Sequence, residues 1–89
     1  MIYKIVLDKE AEKFLDKLDS FMSRRIIKKI KELQENPFSK DVKRLKGYNQ
    51  FRLRIGDYRA IFSIEKDTIQ ILKIGHRKNI HDAKYLDIK

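Results

Sequence analysis

Cysteine is absent from the 89-residue chain, which excludes thiol nucleophiles, disulfides and cysteine-based zinc sites. No apolar run approaches the roughly 20 residues of a membrane span. The N-terminal MIYKIVLDKE holds too short an apolar stretch for a signal peptide. A cytoplasmic protein with no membrane attachment is the expectation. Glycine is scarce, with three residues, and they build no Gly-rich phosphate loop. Neither a Ser/His/Asp arrangement nor a metal-ligand cluster is present. His76 and His81 stand five apart without further ligands, a poor basis for a metal site. No cofactor or metal is expected. Internal repeats, low-complexity tracts and linkers are missing as well, so residues 1–89 read as a single domain. Such a chain buries only about 60–65% of its unfolded surface, and an elaborate multi-site enzyme is not expected.

Acidic residues are outnumbered. The chain has 22 Lys+Arg against 13 Asp+Glu, a formal net charge of +9. So large an excess on a small domain points to a polyanionic partner: RNA, DNA, an acidic protein segment or an anionic membrane surface. Charge alone does not choose among them.

The apolar pattern gives the order of elements. Ile2 to Leu7 alternates as a short strand. Asp8 can cap a helix from Lys9 to Leu18, with Ala11, Phe14, Leu15 and Leu18 at helical spacing and Glu10 and Glu12 in the first turn. Asp19-Ser20 breaks this helix and can cap the next. The second helix runs to about Glu35 with Met22, Ile26, Ile30 and Leu33 in one stripe, and Arg24, Arg25, Lys28, Lys29 and Lys31 away from it. The single proline follows Asn36 and ends it. Phe38 to Gln50 reads as a loop or short extension with a turn at Gly47. Three strands follow: one around Phe51 to Ile55, one from Tyr58 to Ile64, and one from Thr68 to about His76. The expected fold is α+β, a helical hairpin on a small, mainly antiparallel four-stranded sheet in the order β-α-α-β-β-β. Beyond Asn79, Ile80, Ala83 and Leu86 suggest a turn or two of helix.

Phe51, Leu53 and Ile55 alternate with Arg52 and Arg54, so one face of that strand is apolar and the other cationic. Gly56-Asp57 places glycine where a two-residue type II′ turn requires it. Leu53 then faces Ala60, and Arg54 faces Arg59. Like charges directly across a strand pair are destabilising unless an anion sits between them. A two-residue turn at Lys66-Asp67 would pair Phe62 with Ile71. A three-residue turn would pair Phe62 with Leu72 and Ala60 with Ile74, the cleaner apolar match. The longer turn also carries Arg77 to the side of Arg54 and Arg59, at the cost of placing Ile69 and Ile71 there, under a covering C-terminal segment.

The segments KRLKGYNQFRLRIGDYRAIF and ILKIGHRKNIHD resemble the RelE-type toxins of the RelE/ParE superfamily. The resemblance spans nearly the whole chain. It is carried by a K-x-L-x-G run ending at Gly47, the R-x-G-x-Y-R run Arg54 to Arg59 and the GHR run Gly75 to Arg77. It implies a type II toxin that enters the ribosomal A site, cleaves messenger RNA there and is held inactive by a RelB-like antitoxin. By the same resemblance Arg59 and Arg77 clamp phosphate, Arg52 and Arg54 occupy the basic strand positions, and Lys43, Arg44 and Lys46 bind RNA. Where some members carry lysine, Arg52 and Arg54 cannot serve as general base, because arginine does not release its proton. His81 occupies the position of the family's tyrosine and can stack or carry a proton; Tyr85 is a further candidate for that tyrosine's place. His76 reads as structural. Two other readings stay open: a ParE-like DNA gyrase poison, and a catalytically decayed relative that only binds an antitoxin.

Overall fold

A computed structural model describes residues 2–45 and 49–80. Strand β1 (Lys4–Leu7) leads into helix α1 (Lys9–Lys17) and helix α2 (Ser20–Glu32). Strands β2 (Val42–Leu45), β3 (Gln50–Ile55), β4 (Tyr58–Glu65) and β5 (Thr68–His76) complete one sheet in the order β1-β5-β4-β3-β2. Only the β1–β5 pair is parallel.

The two helix starts are built differently. Asp19 accepts from the Met22 amide at 2.9 Å, a side-chain N-cap. Asp8 makes no such bond; its carboxylate accepts from Gln70 on β5 instead. The regular part of α2 ends at Glu32, and a tightened turn, in which the Leu33 and Gln34 amides donate to Ile30 and Lys31, takes the chain on to Asn36. Ala11 and Leu15 of α1 and Ile26 and Ile30 of α2 meet Phe51, Leu53, Ala60, Phe62, Ile69, Ile71 and Ile74 of the sheet in the main core. This is the expected helical hairpin on one face.

The sheet has five strands rather than four. The stretch expected to be loop contains β2, at the edge beside β3, with Val42 opposite Leu53 and Lys43 opposite Arg52. Its apolar residues do not alternate. Val42 packs in the main core and Leu45 in a second, smaller one with Ile61, Ile80 and Leu72 on the far face. A strand that sends one apolar side chain to each face, with Lys43-Arg44 between, leaves no period-two signal.

The β3–β4 hairpin has the expected register, with Leu53 opposite Ala60 and Arg54 opposite Arg59. Gly56 has φ +59° and Asp57 does not take a positive φ, as a type II′ turn requires. The β4–β5 pair adopts both candidate registers in turn. A two-residue turn at Lys66-Asp67 puts Phe62 opposite Ile71, against the longer turn favoured by the pattern. A bulge then inserts Leu72, so that Ala60 faces Ile74 and Arg59 faces Gly75. Ile69 and Ile71 therefore stay in the main core while the phase changes before Arg77. The far face is covered by Ile80, which lies over Gly75. A Cβ on Gly75 would stand 3.0 and 3.1 Å from Ile80 Cγ1 and Cδ1, so glycine is what lets the chain fold back so closely.

Candidate nucleic-acid interface

Alternation along β3 and β4 and the phase change in β5 bring Arg52, Arg54, Arg59 and Arg77 to the face opposite the helices. Arg59 is the centre of the group. Its guanidinium is held below the usual range by burial first, then by the charges of Arg52, Arg54 and Arg77, with Asp57 acting in the opposite direction. It remains a cation, since the ordinary guanidinium value lies far above neutrality. Its Nη1 donates to the carbonyls of Gly56 at 2.7 Å and Tyr58 at 2.8 Å. These bonds curl it onto its own turn and leave the fork's remaining donors for a ligand.

The like-charge pair Arg54/Arg59 is relieved by divergence. Arg54 Nη2 donates to Asp41 Oδ1 at 3.1 Å, and its backbone amide donates to the Asp41 carbonyl at 2.9 Å. Asp41 Oδ2 also receives Lys29 of α2 at 2.9 Å. These two partners, Lys29 first, hold the Asp41 carboxyl below the usual carboxylate range. A carboxyl depressed in the folded state contributes stability above its unfolded value, about 3.9, that is lost as pH falls through the folded value. Acid titration followed by circular dichroism should therefore show Asp41→Asn losing the part of the wild type's sensitivity that lies below about pH 3.9. An unchanged profile would mean the contacts do not form in solution.

Arg77 is fixed through its amide, which donates to the Asp57 carbonyl at 2.8 Å, while its Nε lies 3.8 Å from Asp57 Oδ1. His76 Nδ1 accepts from the Lys78 amide at 3.2 Å, and its ring stands edge-on to Tyr58 at 5.6 Å. These are the local backbone and ring contacts expected of a histidine at the end of a strand. Lys43 lies opposite Arg52, on the arginine face, whereas Arg44 lies opposite Phe51 on the helix side. Lys46, Gly47, His81 and Tyr85 lie outside the described residues. Two residues of the site were not anticipated. Asp41 carries no local signal, because its partners are 12 and 13 positions away in the chain. Arg25 reads from sequence as one more solvated helix cation, yet its Nη2 is 3.9 Å from where a Cβ on Gly56 would stand. Among the described residues no cluster of His, Cys, Asp or Glu could hold a metal ion.

A profile of the ParE toxin of type II toxin-antitoxin systems (parDE) matches residues 5–81. The chain belongs to the RelE/ParE toxin family. Within it the chain is of RelE type: it is 34% identical over 84 residues to Toxin RelE3 of Methanocaldococcus jannaschii, an alignment covering 89% of this chain and 96% of that protein. The archaeal RelE–RelB complex from Pyrococcus horikoshii superposes with a TM-score of 0.77 at 31% identity, covering 90% of this chain and all of that one. The RelB–RelE complex from Methanococcus jannaschii gives 0.69 at 32%, covering 88% and 96%. A free form of the E. coli toxin RelE shares the fold, with a TM-score of 0.76 at 23% identity over 94% of this chain and 93% of that one. These likenesses match the α+β, RelE-like expectation. No helix among the described residues is long and apolar enough to cross a membrane.

Proposed function

We propose that this RelE-type toxin is a ribosome-dependent endoribonuclease that cuts messenger RNA in the A site and thereby stops translation. The observation that carries the reading is the half-buried Arg59 set on one face of the sheet with Arg52, Arg54 and Arg77. Arg54 shares Asp41 with Lys29, and Arg77 stands beside Asp57, yet four guanidinium groups against two carboxylates leave this face positive and suited to an anion of high charge density. A phosphate passing to a five-coordinate, more highly charged transition state provides it. In this reaction the ribose 2′-oxygen forms a bond to the adjacent phosphorus, the bond to the 5′-oxygen breaks, and a cyclic phosphate is left. One proton leaves the 2′-hydroxyl and one reaches the departing 5′-oxygen. Arg59 and Arg77 clamp the phosphate oxygens, with planar forks suited to that geometry. Arg52 and Arg54 add positive potential but take no proton. His81 is assigned the proton transfer, and Lys43 and Lys46 the flanking RNA; Arg44, on the helix side of the edge strand, meets only RNA that passes around that edge.

Primer-extension mapping of a message on programmed ribosomes tests this: cuts confined to the A-site codon are expected. The name of the matched family profile favours a second reading, a poison of DNA gyrase. Intact messages together with accumulated gyrase-cleaved DNA would select it.

An antitoxin partner is part of the proposal. Both archaeal structural relatives are complexes with RelB. A +9 domain attracts an acidic chain that folds as it wraps. The toxin–antitoxin affinity should fall as salt rises, and calorimetric titration at low and high ionic strength measures this. An affinity indifferent to salt would assign the interface to apolar contacts.

A further inference from the structure

The arginine face does not end at the β3–β4 turn. A groove of about 660 Å³ continues from it between that turn and α2, with Arg25, Lys28, Lys29, Asp41, Arg54 and Gly56 in its lining. Arg54 belongs to both surfaces. The turn residue Gly56 also joins them, because Arg59 Nη1 donates to its carbonyl at 2.7 Å while Arg25 Nη2 stands 3.9 Å from its missing Cβ. A side chain at Gly56 would stand against the Arg25 guanidinium, and the φ of +59° disfavours one in any case.

Charge balance decides what the groove can hold. Its acids are engaged: Asp41 with Lys29 and Arg54, Glu32 with Lys29 at 3.5 Å, and Asp57 with Arg77 at 3.8 Å. Arg25 and Lys28, both exposed, have no carboxylate partner among the described residues. Ile55 is the one apolar side chain in the lining. A docked protein segment would need apolar anchors, and those lie elsewhere, in a groove of about 260 Å³ lined by Ile5, Leu7, Ile27 and Ile30. A phosphodiester backbone needs only cations in a row.

We propose that Arg25 and Lys28 form a flanking subsite for single-stranded RNA, in which the strand leaves the arginine face across Gly56 and lays its next phosphates along α2. The inference rests on the reading of the arginine face as an RNA site. Its test needs neither ribosome nor cleavage. Binding of 2′-O-methyl oligoribonucleotides, which cannot be cut, is followed by fluorescence anisotropy over a range of salt, with a trinucleotide and a dodecanucleotide as probes. Losing two phosphate contacts should lower the salt slope of the dodecanucleotide by about 1.4, at about 0.7 per contact for single strands. The Arg25→Ala/Lys28→Ala variant is expected to show that drop and to bind the trinucleotide as the wild type does. Arg25→Lys, which keeps the charge, should retain the slope. Both sites are exposed, so thermal melting should not change.

An unchanged dodecanucleotide slope, or an equal loss for the trinucleotide, overturns the subsite. So does a variant that keeps its RNA affinity but loses affinity for polyglutamate, which would make the groove a protein-docking surface. Arg59→Ala separates this inference from the one beneath it. If it leaves both probes bound while the groove variant weakens the longer one, the arginine-face reading fails, and Arg25 and Lys28 bind RNA as a site of their own rather than as a flanking subsite. Wild-type protein without salt-dependent RNA binding overturns both.

Discussion

Arg59→Ala is expected to reduce A-site cleavage by about a hundred- to a thousandfold, the loss that follows removal of one preorganised donor to a developing oxyanion. Arg59 is burdened by burial and by three neighbouring guanidinium groups, so the empty site is electrostatically unfavourable and becomes less so when phosphate arrives. The gain is larger for a transition state than for a ground-state diester, because more negative charge is then concentrated on the oxygens. Arg59→Lys keeps the charge but loses the planar fork and the paired bonds to the Gly56 and Tyr58 carbonyls. It should fall between wild type and alanine. Single-turnover primer extension on programmed ribosomes separates this effect from binding. Full activity in Arg59→Ala would remove the residue from the chemistry. The variant loses two bonds to turn carbonyls and is relieved of repulsion from neighbouring guanidinium groups, opposing effects, so lost activity with little change in melting temperature is the combination expected.

Phe62→Ala should have the largest effect on stability, about 3–5 kcal/mol. Phe62 is fully buried and its ring stacks on Phe51, with centroids 5.3 Å apart and planes at 20°. It lies opposite Ile71, immediately beside the bulge. Neighbours that are themselves strand residues cannot collapse into the space, so the cavity cost adds to the lost transfer energy. For a chain of 89 residues, total stability is about 4–13 kcal/mol, and the variant would retain little or none of it near the lower end. Urea unfolding followed by circular dichroism measures the change. A midpoint shift worth less than about 1 kcal/mol would show that the core relaxes around the missing ring.

What could be read from the sequence was what depends on short-range periodicity. The helical hairpin and the β3–β4 register follow from apolar spacing and from one glycine in the first turn position, and the convergence of Arg54 with Arg59 follows from that register. β2 escaped because Val42 and Leu45 serve two different cores. The β5 register escaped because two incompatible patterns are both satisfied, one on each side of an inserted residue, and a single uniform register cannot contain them. Asp41 and Arg25 became visible only when α2 was laid beside β3. Their importance arises from juxtaposition, not from any local motif.

The bulge at Leu72 acts as a phase adjuster, and this constrains how the chain can vary. Upstream of it β5 is in step with the core, and downstream it is in step with the arginine face. Substitutions along β5 change one side chain at a time. A one-residue insertion or deletion between Ile71 and Arg77 would instead rotate the end of the strand by half a period, turning Arg77 toward the helices and His76 toward the arginine face. This stretch should therefore tolerate exchange of residues far better than any change in their number.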